Sequence, residues 1–88
     1  MKINKNDFVR AKVQRSLTPG EMLRTLRELQ ELSQQDLAKL TGISQSNLSA
    51  METDARQIGR ERALVLAKAL KVHPAVILFP DFDINDVA

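Results

Sequence analysis

Twenty-two residues, SQQDLAKLTGISQSNLSAMETD from Ser33 to Asp54, hold two short helical patterns separated by a single glycine. Ser33 stands where an N-cap belongs, with Asp36 at the third helical position, and Leu37, Ala38 and Thr41 repeat at helical spacing until Gly42 offers a left-handed stop. After Ile43 a second cap follows at Ser44, and Leu48 and Met51 mark the inward side of another helix that ends near Asp54. Two helices joined by three or four residues that include a glycine cross at a steep angle, and the second projects from the first. Few folds accommodate such a pair, and all of them must pack it with further helices.

Those further helices are legible on both sides. Thr18-Pro19-Gly20-Glu21 supplies a cap, a proline at the first helical position and a carboxylate at the third. Met22, Leu23, Leu26 and Leu29 then share one face, and Leu32 is expected to close that helix. Downstream, a polar loop from Ala55 to Gly59 leads to a stripe of Ala63, Leu66, Ala67 and Leu70 at i, i+3, i+4, i+7. Val72-His73-Pro74 ends that helix and starts a brief one over Ala75 to Phe79. His73, the single histidine, is best read as its cap. With 88 residues and aliphatic side chains supplying nearly all the apolar content, the chain reads as one small all-α domain of five helices.

Its limits divide the chain into a basic N-terminal extension over 1–17, a helical domain over 18–80 and an acidic C-terminal tail over 81–88. Lys2, Lys5, Arg10, Lys12 and Arg15 face only Asp7 in the extension, where Val9, Val13 and Leu17 also recur every four residues. Asp81, Asp83 and Asp86 have no basic neighbour in the tail. The lack of cysteine removes disulfides, zinc ribbons and thiol catalysis, and fits a reducing, cytoplasmic setting. No apolar run is long enough to span a bilayer and no cleavable leader is evident, so a soluble, unprocessed chain is expected. No glycine-rich phosphate loop, metal-ligand cluster or facing pair of carboxylates suggests an enzyme, a metal or a cofactor.

The outward side of the second helix carries the functional signal. With Leu48 and Met51 turned inward, Gln45, Ser46, Asn47, Ser49 and Ala50 face away from the core. An ordinary solvated face would carry Lys and Glu, which are good helix formers, whereas Ser and Asn are mediocre ones. Short uncharged groups that both donate and accept hydrogen bonds suit base edges in a DNA major groove. Glutamine or asparagine pairs with adenine, and serine with several bases.

LRTLRELQELSQQDLAKLTGISQSNLSAMETD, followed by RALVLAKALKVHP, resembles the Xre or Cro/phage-repressor family of helix-turn-helix proteins from about Pro19 to Phe79. The resemblance implies a sequence-specific regulator of transcription, a repressor that binds double-stranded DNA as a dimer on a palindromic operator. It implies that Gln34 opens the first helix of the motif against phosphate and braces Gln45, which reads a base. Ser46 and Ser49 would read or flank bases and Asn47 would reach a base or the backbone, with the cap serines Ser33 and Ser44 at the edges of this surface. Arg56 and Arg60 match loop positions that touch phosphate or the adjacent minor groove. An ion pair between Arg27 and Glu52 would tie the opening helix to the recognition helix.

The chain departs from the family at Thr53-Asp54, where an Asn-Gly or similar turn is usual, and an aspartate near DNA would be repelled. A homodimer is expected through Val76, Ile77, Phe79, Phe82 and Ile84, some of which must simply cover the small core. TPGEMLRTLRELQ and KVHPAVILFPDF also look like HigA-type antitoxins. That resemblance implies an alternative role, in which the chain neutralises a small RelE/HigB-like toxin and represses its own operon.

Overall fold

The computed structural model describes residues 17–80, and among these all regular structure is helical. Five helices follow in order: α1 (Pro19–Leu29), α2 (Gln34–Thr41), α3 (Gln45–Glu52), α4 (Arg60–Leu70) and α5 (Pro74–Leu78). The extension over 1–16 and the tail over 81–88, with Phe82 and Ile84, lie outside the described residues.

Each helix starts where its capping chemistry dictates. Thr18 and Glu21 form a reciprocal capping box at α1, and Ser33 and Asp36 form another at α2. The backbone N–H and hydroxyl of Ser33 hold the Asp36 carboxyl below the usual carboxylate range. The stabilisation from this lowered pKa is therefore present above the unfolded value of about 3.9 and is lost as pH falls through the folded one. Ser44 accepts from the Asn47 N–H at the start of α3, and His73 Nδ1 accepts from the Ala75 N–H at the start of α5.

The helix ends depart more from the expected pattern. Only Gly42, at φ 75°, is a glycine in the left-handed region; Glu31, Asp54 and Lys71 occupy it at φ 58°, 63° and 60°. At Glu31 this stops α1 at Leu29 rather than at Leu32. The Glu31 N–H donates to the Glu28 carbonyl and the Leu32 N–H to the Arg27 carbonyl, a double closure that satisfies the last turn without glycine. Lys71 and Val72 close α4 in the same way on Lys68 and Ala67.

One core holds the helices together. Met22, Leu23, Leu26, Leu37, Leu48, Met51, Leu66, Leu70 and Ile77 have essentially no exposed surface. Side chains of this kind contribute roughly 1.5–3 kcal/mol each on burial. Helix α1 packs on α3 and α5, α2 on α3 and α4, and α4 on α5, so α3 is buried on one side and open on the other. Ile77 is completely enclosed here, so of the five residues expected at the dimer contact it is one that covers the core. In a helix of five residues the single inward position is claimed by the monomer's own core. Val76 is half-buried against that core, and Phe79 remains 61% exposed.

The crossing of α1 and α3 depends on Gly20. A Cβ built there would lie 2.3 Å from the Met51 carbonyl oxygen and 2.8 Å from that of Glu52, so the backbone of α1 rests directly on the last turn of α3. Gly20→Ala is predicted to destabilise the fold by about 1–3 kcal/mol through overpacking against backbone that cannot yield. Gly59→Ala, whose Cβ would meet nothing within 4 Å, should stay within about 0.5 kcal/mol of the parent. Urea unfolding of the two variants checks both values.

Candidate nucleic-acid interface

Helix α3 divides cleanly by burial. Leu48 and Met51 have no exposed surface and Glu52 is 6% exposed, whereas Gln45 and Ser46 are exposed and Asn47, Ser49 and Ala50 are half-buried around the outer side. Gln45, Ser46 and Ser49 sit at i, i+1 and i+4, which places them on one face of the helix. That face presents an amide and two hydroxyls with no charge among them.

Glu52 anchors the inner side. Arg27 Nε donates to Glu52 Oε2 at 2.6 Å and Arg27 Nη2 to Glu52 Oε1 at 3.0 Å, while Arg27 Nη1 donates to the Leu32 carbonyl at 2.8 Å. The planar guanidinium thus joins α1, the α1–α2 turn and α3 at one point. The hydrogen bond to Glu52 raises the Arg27 pKa above its ordinary value, a gain that burial opposes and the attraction of Glu52 and Glu28 reinforces. With a raised folded pKa, the contribution is fully present throughout the ordinary pH range and is lost only in strong alkali, as pH rises through the raised folded value.

Two further contacts carry this anchor to the surface. Gln34 Nε2 donates to Glu52 Oε1 at 3.1 Å, and Gln45 Nε2 reaches Gln34 Oε1 at 3.5 Å. The first residues of α2 and α3 are therefore brought side by side, with Gln34 between the buried carboxylate and the exposed amide.

A helix-turn-helix family model matches residues 23–77, well over half of the sequence. The chain belongs to the helix-turn-helix family of Xre/Cro type. It is also similar to the P22 c2 repressor, whose structure was solved in complex with the synthetic operator 9T in the presence of Tl+. The two share 30% sequence identity at a TM-score of 0.70, over 75% of this chain and 100% of that one. No curated protein sequence matches this one closely enough to count as a relative.

In this helix-turn-helix domain the remaining candidate residues fall into distinct settings. The Ser33 and Ser44 hydroxyls accept from the Asp36 and Asn47 N–H groups, so their oxygens serve the helix caps, and Ser44 Oγ also lies 3.4 Å from Ser46 Oγ. Asn47 turns sideways, its Oδ1 accepting from Arg56 Nη1 at 3.1 Å, which holds the loop arginine against α3. Arg56 and Arg60 line a shallow cleft with Gln57, Gly59, Glu61 and Arg62. Gly59, the N-cap of α4, has no side chain to cap with.

Asp54, whose charge DNA would repel, turns toward α1. Its Oδ2 accepts from the Thr18 hydroxyl at 2.6 Å and its Oδ1 from the Gly20 N–H at 3.0 Å, so its charge faces the N-terminus of α1. The left-handed backbone at Asp54 makes the same turn that the usual glycine would make, and its side chain adds a link to α1. Sequence reasoning missed this second tie, as it missed the Asn47–Arg56 contact.

Removing one member of the ion pair leaves its partner charged in a nearly closed site. Arg27→Met should lower stability by about 3–5 kcal/mol. Guanidinium unfolding against the parent measures it; a loss below 1 kcal/mol would mean that Glu52 finds another partner.

Proposed function

We propose that this helix-turn-helix DNA-binding regulator is a transcriptional repressor that lays α3 in the major groove and reads a palindromic operator as a homodimer, acting in the cytoplasm with its DNA. The observation that carries the reading is the uncharged, hydrogen-bonding face of Gln45, Ser46 and Ser49 on a helix whose other side is locked into the core. A reading surface has to be rigid, because a loosely held amide loses orientation as well as affinity. The similarity to a repressor solved on operator DNA supports the same use of the motif.

Gln45 is the principal base reader in this scheme, flanked by Ser46 and Ser49. Asn47 acts mainly by steadying Arg56, and Arg56 and Arg60 neutralise phosphates beside the groove, with the open first turn of α4 adding N–H donors. Phe79, exposed at the end of α5 beside half-buried Val76, is the described part of the dimer contact. The alternative role as an antitoxin rests on the resemblance of TPGEMLRTLRELQ and KVHPAVILFPDF to HigA-type antitoxins.

In gel-shift titrations Gln45→Ala should weaken operator binding by about 1–3 kcal/mol and leave binding to random duplex nearly unchanged. Equal losses on both DNAs would remove Gln45 from the reading role. Neutralising Arg56 and Arg60 together should weaken binding on every sequence and lower the magnitude of the salt slope by about two, roughly one for each phosphate contact. Helix-turn-helix dimers read half-sites about one helical turn apart. Light scattering on a palindromic duplex should accordingly show two chains per site, and a single chain at saturation would overturn the dimer.

A further inference from the structure

We propose that Glu52 is a positioning residue for base choice: held by Arg27, it fixes the polarity of the Gln34 amide and thereby the order in which Gln45 presents its oxygen and its N–H to DNA. The proposal rests on Gln45 being a base reader and deepens that reading.

An ionised carboxylate only accepts hydrogen bonds, while a glutamine amide donates at one end and accepts at the other. Gln34 lies between Glu52 Oε1, 3.1 Å from its nitrogen, and Gln45, 3.5 Å from its oxygen. Reversing the Gln34 amide would set oxygen against oxygen at Glu52 and nitrogen against nitrogen at Gln45. Glu52 cannot swing away to relieve this. It is 6% exposed and both of its oxygens are held by Arg27, whose third nitrogen, Nη1, donates to the Leu32 carbonyl.

Gln34 therefore offers Gln45 an acceptor, and Gln45 must turn its nitrogen inward. What Gln45 has left is its second N–H and its Oε1, on an edge whose two ends are not equivalent. Bidentate contact with adenine needs a donor opposite N7 and an acceptor opposite the N6 amino group. The same edge turned over puts like against like. Base choice at this position is thus set by a carboxylate that touches no base, two hydrogen bonds away. The long contact between Gln34 and Gln45 contributes little binding energy, and it acts by bias in orientation.

The test uses the whole chain and a pool of duplexes with a randomised window of about twenty base pairs, sequenced after selection. The parent defines the site and Gln45→Ala identifies the base pair whose preference it removes. Two variants then probe the polarity. Glu52→Gln allows either orientation of Gln34, because the new amide can also donate. Gln34→Met removes the amide and leaves the Arg27–Glu52 pair in place, so it decides alone if Glu52→Gln fails to fold by circular dichroism.

At the identified pair the parent should prefer adenine about tenfold. The folded variants should bring this to within about twofold, with preferences elsewhere and the salt slope unchanged. Retained adenine preference in Gln34→Met would overturn the polarity proposal and leave Gln45 as the reader, whatever happens to overall affinity, since Gln34 is also expected to stand against phosphate. If Gln45→Ala flattened no position, the reading and the proposal would fall together.

Discussion

The buried pair of Arg27 and Glu52 is the constraint on which the orientation of α3 and its outer face depends. Desolvating two charges is expensive, and an apolar pair of similar shape would often serve stability as well. What the ions add is direction. Arg27 uses its whole fork, on both Glu52 oxygens and on the Leu32 carbonyl, and so fixes α3 in rotation as well as in distance. A greasy contact between α1 and α3 would tolerate a small roll of the short α3 helix, and any roll would reorient Gln45, Ser46 and Ser49 together.

A second tie acts at the opposite, N-terminal end of α1. Gly20 lets the backbone of α1 touch the last carbonyls of α3, and Asp54 reaches from the following turn to hold the Gly20 N–H and the Thr18 hydroxyl. The negative end of α3 and a carboxylate thereby meet the positive end of α1. With Arg27 and Asp54 at separate points, an eight-residue helix that would be unstable alone becomes a rigid part of the domain. This explains how a chain with so small a core can hold residues of poor helix propensity on an exposed face. Tertiary contacts on the inner side replace the propensity that Ser46, Asn47 and Ser49 give up.

Charge is sorted accordingly. Among the described residues, the carboxylates nearest the recognition helix, Glu52 and Asp54, are turned inward or toward α1, and the outward side of α3 is uncharged. Cations stand on the loop that leads to α4 and on the first turn of α4, and Asn47 holds the loop arginine, Arg56. Neutral groups at the centre and cations at the rim suit a surface on which base edges are discriminated by hydrogen bonds and phosphates only position the protein.

The sequence by itself determined the helices, their starts and the outward residues of α3, because caps and apolar periodicity are local. Thr18 with Glu21, Ser33 with Asp36, and Gly42 each act within a few residues, and Leu48 with Met51 settles which way α3 faces. The Arg27–Glu52 pair was legible only by resemblance, since nothing local connects positions 25 apart. The tertiary structure alone decided the rest. Glu31, Asp54 and Lys71 end helices in a conformation that sequence assigns to glycine, and they hold it because neighbouring packing outweighs the cost of a left-handed residue. Which of Val76, Ile77 and Phe79 covers the core stayed open in the sequence, because a five-residue helix has too little periodicity to show its inner side. Asp54 looked like a liability near DNA until the fold brought Thr18 and Gly20 within reach, more than 30 residues back along the chain. Hydrogen-bond partners that distant are chosen by the packing of α1 on α3, which no local pattern encodes.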